Sequence, residues 1–87
     1  MAGVLGNPLG YQRTLVSGTD FNDITANGYY QMVYSAEYLN SPCKEGALVV
    51  INVNYFFIQI VLGSQANGVY YRSKWGSSGM TGWYKIL

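Results

Sequence analysis

The sequence predicts a small, single-domain, all-β fold with little or no helix, built as an antiparallel sheet or sandwich. Apolar residues do not follow a helical period over any stretch of ten residues. Valine, isoleucine, tyrosine and phenylalanine instead gather in short runs, which glycine- and asparagine-rich turn signals separate. A chain of 87 residues is long enough for one hydrophobic core. We therefore expect one domain of short strands.

The composition is unusual for a small domain, because 49% of the residues are hydrophobic and only 10% are charged. An average soluble domain carries roughly 25% charged residues. Either uncharged polar residues cover the surface, or part of the surface is hidden against copies of the same chain. A net charge of +1 offers no field that would attract nucleic acid or an anionic membrane. The composition favours a self-associating protein and predicts no nucleic-acid partner.

The front of the chain differs from the rest. Residues 1–18 contain four glycines and are expected to form an extended segment or linker, which joins a preceding shaft or reaches a neighbouring subunit. Within this segment only residues 11–16 have the character of a strand. Residues 19–87 are expected to form the compact β domain. No secretion signal or bilayer-length apolar run is recognisable, so we expect neither signal-directed secretion nor membrane insertion.

The strands of the domain follow from alternation and turn signals. They are predicted at residues 29–34, 47–53, 56–62, 69–74 and 83–87. The second and third form a hairpin with large apolar side chains on both faces, which we expect at the centre of the sheet. Gln59 interrupts that apolar pattern. Its amide either bonds to a cross-strand partner or contacts a ligand.

Catalytic residue types are scarce. The chain has no histidine, which removes the usual general base and the commonest metal ligand. Its single cysteine, Cys43, has no histidine to activate it and no partner for an internal disulfide. Asp20 and Asp23 lie in a turn-forming segment, where aspartate commonly bonds its own backbone. We expect no enzyme activity, no cofactor and no bound metal.

The chain has an excess of aromatic residues, with 9 Tyr, 2 Trp and 3 Phe, or 16% of the sequence. Tyrosine and tryptophan combine a flat apolar face with a polar atom, which suits stacking on a sugar and equally suits a subunit interface. The candidate ligand-binding residues come from the C-terminal third, and they are Tyr70, Arg72, Trp75, Trp83 and Tyr84. Alternation places Tyr70 and Arg72 on one face of their strand and Tyr71 on the other.

Several motifs occur in a distinctive order. They are DFNDITANGYYQM, NSPCKEGALVVI, FIQIVL, NGVYYRS and a terminal GWYKIL after a glycine-rich loop. This ordered set resembles the pyocin knob family, whose domains belong to the tail fibres of bacteriophages and of phage-tail-like bacteriocins. The resemblance covers roughly residues 19–87. One departure is Met80, which stands where the family is expected to carry a tryptophan.

The resemblance implies a β module on a trimeric fibre that recognises the bacterial surface, often its polysaccharide, or helps to present a tip that does. The expected partners are two further copies of the chain, the fibre shaft or other virion proteins, and a surface glycan. The expected location is the virion, after assembly in the cytoplasm of the bacterial host. The residues themselves leave open an alternative, a stand-alone carbohydrate-binding or adhesion module without a fibre.

Overall fold

The fold consists of one six-stranded sheet. A computed structural model describes residues 10–65 and 67–87. The strands are β1 (Tyr11–Thr14), β2 (Gly28–Met32), β3 (Gly46–Val53), β4 (Phe56–Gly63), β5 (Val69–Trp75) and β6 (Tyr84–Lys85). They are arranged in the sheet in chain order. The only helical element in these described ranges is a 3₁₀ turn at Phe21–Asp23. The predicted all-β single domain is confirmed.

The sheet is mixed rather than purely antiparallel. Strands β2 to β6 pair antiparallel with their neighbours, whereas β1 pairs parallel with β2. The parallel pair arises because residues 15–27 pass over one face of the sheet before β2 begins. Phe21 and Ile24 from this crossing segment are buried against that face. In the described part of the chain, loops and the 3₁₀ turn cover this face. They occupy the position that a second sheet would have in a β-sandwich.

The described part of the N-terminal segment is integrated into the domain. Strand β1 pairs with β2, and Leu15 is only 1% exposed within the core. The Tyr38 hydroxyl donates a hydrogen bond of 2.8 Å to the Leu15 carbonyl. Residues 10–18 thus contribute a strand and a core side chain. Residues 1–9, the first half of the expected linker, lie outside the described residues.

The hydrophobic core lies on one face of the sheet, which we call the inner face. Its fully packed members are Leu15, Phe21, Ile24, Tyr30, Met32, Leu48, Val50, Phe57 and Val61. The 3₁₀ turn that delivers Phe21 is capped by Asp20, whose carboxylate accepts a 2.8 Å hydrogen bond from the Asn22 backbone N–H. Tyr30 anchors a second loop, because its hydroxyl donates to the Ala26 carbonyl at 2.7 Å.

The other face of the sheet, the outer face, is apolar as well. In β3, Leu48 and Val50 point into the core, so the run from Ala47 through Val49 and Ile51 points away from it. Strand β4 behaves in the same way, since Phe57, Gln59 and Val61 point inward. The side chains between them are therefore directed outward. The central hairpin is the two-sided apolar element that the sequence predicted.

Candidate functional site

The five residues predicted to contact a ligand fall on two opposite faces of the sheet. Tyr70, Arg72 and Trp83 lie on the inner side, where Arg72 is only 6% exposed and the two aromatic rings pack against the core. Trp75 and Tyr84 lie on the outer face and are 65% and 54% exposed. The predicted alternation along β5 is confirmed. The five side chains do not form one continuous surface.

Arg72 is the centre of a buried polar cluster. Its Nε donates to Gln59 Oε1 at 2.8 Å, and the two residues face each other across β4 and β5. The Gln59 side-chain amide donates to the carbonyls of Phe21 and Ile24, at 2.7 and 2.9 Å. Gln59 therefore fastens the crossing segment to the sheet. The interpretation of Gln59 as an amide bonded to a cross-strand partner is confirmed.

Trp83 covers the guanidinium of this cluster. The Arg72 Cζ atom lies 4.7 Å from the centre of the indole ring, within the range of a cation–π interaction. The indole N–H donates to the Asn40 carbonyl at 3.0 Å, and the ring meets Phe21 edge-on at 6.4 Å. Trp83 thus connects the C-terminal strand to the loop that precedes β3.

Electrostatic coupling extends from the cluster to Asp20. Burial lowers the pKa of Arg72, and the nearby Asp20 carboxylate acts in the opposite direction. The pKa of Asp20 lies below its ordinary value because the Asn40 side chain and the Asn22 backbone N–H donate to it, with a smaller contribution from Arg72. In the described part of the chain, Arg72 Nη2 is buried without a hydrogen-bond partner. The cluster therefore connects the crossing segment, the loop before β3 and the segment before β6.

The hydroxyl of Tyr70 also forms a hydrogen bond within the fold. Its hydroxyl donates to the Asn67 carbonyl at 2.6 Å, which closes the connection between β4 and β5. The Lys85 ammonium lies 5.8 Å from the centre of its ring. The three inner residues of the predicted ligand set are therefore all engaged in contacts that hold the fold together.

The outer face forms a continuous apolar surface. Its large members on β3 to β6 are Val49, Ile51, Val53, Phe56, Ile58, Ile60, Leu62, Tyr71, Trp75 and Tyr84. Cross-strand pairs hold them together, such as Val49 beside Ile60 and Ile60 beside Tyr71. Trp75 packs on Phe56 at 6.2 Å between ring centres, and Tyr71 packs on Tyr84 at 5.4 Å. No charged side chain interrupts this set.

The size of this surface can be estimated from strand geometry. Strands β3 and β4 have eight residues each. Strand β5 has seven residues, so at roughly 3.3 Å per residue and roughly 4.8 Å between strands the three strands β3 to β5 present a face of roughly 360 Å². Monomeric proteins rarely expose contiguous apolar patches beyond roughly 300–600 Å². The outer face is therefore comparable in size to the largest apolar patch of a typical monomer.

A separate pocket opens at one end of the sheet, on the inner side. Its volume is about 270 Å³, and its lining consists of Asn22, Thr25, Asn52, Asn54, Phe57, Lys74, Gly76 and Met80. These residues come from the crossing segment, the β3–β4 hairpin with its turn, the end of β5 and the loop before β6. The sequence did not predict this site, because its residues are far apart along the chain and form no local motif.

The described ranges offer no other site of recognisable chemistry. Within residues 10–65 and 67–87, no three His, Cys, Asp or Glu side chains gather where they could hold a metal ion. None of the helical segments in this part of the chain is long and apolar enough to cross a membrane. No protein-family model, curated protein or solved structure matches this chain.

Proposed function

We propose that this chain is a non-catalytic module of a phage or phage-derived tail fibre, which assembles as a homotrimer through its outer face and serves as a receptor-binding tip for bacterial surface polysaccharide. The observation that carries the proposal is the second apolar face of the sheet, whose members lie outside the buried core and include the exposed side chains of Leu62, Trp75 and Tyr84. The ordered motifs of residues 19–87 suggest the fibre. A second copy of the chain is the partner that matches a surface without charge.

The energetics of the outer face favour association. Burial of this face against other copies of the chain removes its apolar side chains from water, which is the dominant favourable term in most protein–protein association. Its large members Val53, Leu62, Trp75 and Tyr84 are 51%, 46%, 65% and 54% exposed in the single chain. The net charge of +1 per chain adds only weak repulsion between subunits.

A threefold arrangement also suits the positions of the two surfaces. Three sheets that turn their outer faces to a common axis place their inner sides, with the covering loops, on the outside. Each pocket then remains open to solvent, at a fixed distance from the other two. Three weak sites on one rigid tip gain avidity, because binding at one raises the effective concentration at the others.

The oligomeric state tests this proposal. Sedimentation velocity on the whole chain is expected to give a single species with three times the 9.6 kDa mass of the chain. A monomer at every protein concentration from about 1 to 100 μM would contradict the proposal, because the apolar outer face would then remain in water. A dimer would be consistent with burial of the outer face but would contradict the homotrimer.

A second candidate is a stand-alone carbohydrate-binding module without a fibre. The pocket favours it, because a pocket of this kind can act in a monomer as well as in a trimer. The two functions differ in the measured mass and in whether sugar binding strengthens on assembly. A monomer that binds a glycan would favour the second candidate.

A further inference from the structure

We propose that the pocket at the end of the sheet binds a single sugar ring of a glycan, with an acidic substituent of that sugar directed at Lys74. This inference rests on the proposed function and names the site and the substrate class of its receptor binding. It also moves the ligand site away from the five aromatic and arginine residues that the sequence predicted. Those residues lie in the core or on the outer face.

The first argument is the supply of free polar groups. The side chains of Asn22, Thr25 and Asn54 line the pocket and form no hydrogen bond with any residue in the described ranges. Amides and hydroxyls both donate and accept hydrogen bonds. Sugar hydroxyls have the same dual character, so a ring of them can be matched from several sides. A purely apolar ligand would leave these groups without partners.

The second argument is that one wall of the pocket is already fixed. Asn52 donates from its side chain to the Thr25 carbonyl at 2.9 Å, and its backbone N–H donates to the Asn27 side chain. The Asn27 side chain in turn donates to the Asn52 carbonyl at 3.1 Å. Binding therefore does not require this part of the pocket to become ordered, which lowers its entropic cost.

The third argument is the size and the apolar side of the pocket. Phe57 is only 6% exposed and forms the base of the pocket, so Met80, which is partly buried, supplies most of the non-polar surface for the C–H face of a sugar. The volume of about 270 Å³ lies below the roughly 300–1,000 Å³ of pockets that hold drug-sized ligands. One sugar ring is a ligand of the corresponding size.

The charge of the pocket gives the acidic preference. Lys74 is its only charged lining residue, and no carboxylate of residues 10–65 and 67–87 lies within ion-pair distance of its ammonium group. An exposed ion pair contributes at most about 1 kcal/mol, so the preference for an acidic over a neutral sugar is expected to be about fivefold. Most of the affinity must come from the uncharged contacts.

The test uses NMR titration of the isotope-labelled whole chain with glucuronate, galacturonate, glucose, galactose and N-acetylglucosamine. We expect amide shifts at Asn22, Thr25, Asn54 and Lys74, with a dissociation constant in the millimolar range for the best acidic sugar. The double variant Asn22→Ala and Thr25→Val should weaken binding at least about tenfold, because two uncharged contacts are lost.

Lysine variants distinguish the contribution of charge to sugar binding from that of the uncharged contacts. Lys74→Met should remove the preference for the uronate without weakening the neutral sugar. Lys44→Met is the matched control, since Lys44 is exposed and pairs with Glu37 outside the pocket. The inference is overturned if none of the five sugars shifts the pocket amides up to about 50 mM. It is equally overturned if the shifts map to Tyr71, Trp75 and Tyr84 on the outer face.

Sedimentation on the same samples keeps this outcome distinct from that of the proposed function. A trimer that binds none of the sugars overturns the pocket assignment and leaves the assembly intact. A monomer that binds a uronate in the pocket supports the pocket assignment and overturns the fibre.

Discussion

Replacement of Gln59 by leucine is expected to lower the free energy of unfolding by about 3–5 kcal/mol, because three buried groups lose their partners together. The carbonyls of Phe21 and Ile24 would lose their donor, and Arg72 Nε would lose its acceptor. Leucine is similar in volume, so the cost comes from unpaired polar atoms rather than from a cavity. The melting temperature should fall by roughly 15–30 °C for a domain of this size.

The matched control is Gln65→Leu, since Gln65 is an exposed glutamine in the connection between β4 and β5, outside the strands of the sheet. This change should alter the stability by no more than about 0.5 kcal/mol. Both variants are compared by thermal denaturation followed by circular dichroism, at one protein concentration because association stabilises the folded chain. A loss below about 1 kcal/mol for Gln59→Leu would show that the buried cluster does not hold the crossing segment.

The second large effect is expected on the outer face, where Ile60→Glu should convert the trimer into monomers. Ile60 lies at the centre of that face, between Val49 of β3 and Tyr71 of β5. Around a threefold axis the variant would bury three carboxylates without partners. Each unpaired buried charge costs about 3–5 kcal/mol, which weakens association by a factor of at least about a hundred. Sedimentation velocity would measure the change.

A charge placed elsewhere should not have this effect. Val16 is 73% exposed in the loop after β1, so Val16→Glu adds the same charge at a site that is already in water. We expect this control to remain a trimer. Circular dichroism would verify that both variants are folded. If Ile60→Glu sediments with the mass of the unmodified protein, the outer face is not the assembly surface.

The sequence predicted most of the strands because their signals are local. The strand predicted at residues 56–62 corresponds to β4 (Phe56–Gly63), since alternation and the preceding turn mark both ends. The turn at Asn54 is equally readable, because asparagine tolerates the positive φ of 45° found there. Asn67 and Gly68 form an Asn-Gly pair, which is typical of a two-residue hairpin turn. The connection is longer than such a turn, because β4 ends at Gly63 and β5 begins at Val69.

Other features depend on contacts that have no local signal. Pairing of β1 parallel to β2 requires the crossing segment to pack on the sheet, and its anchor is the distant Gln59. Local sequence also does not show which face of β3 and β4 points to the core, because both faces of these strands are apolar. Only the position of Phe21 and Leu15 decides that Leu48 and Val50 point inward. The pocket is assembled from four separate segments for the same reason.

The central claim is that the outer face packs against copies of the chain, and isotope-filtered nuclear Overhauser spectroscopy tests it most directly. Trimers mixed from labelled and unlabelled chains reveal only contacts between subunits. The account predicts inter-subunit signals from the methyl groups of Val49, Ile58 and Ile60, and none from the core methyl groups of Leu48 and Val61. The absence of inter-subunit signals at the outer face, or signals confined to another surface, would contradict it.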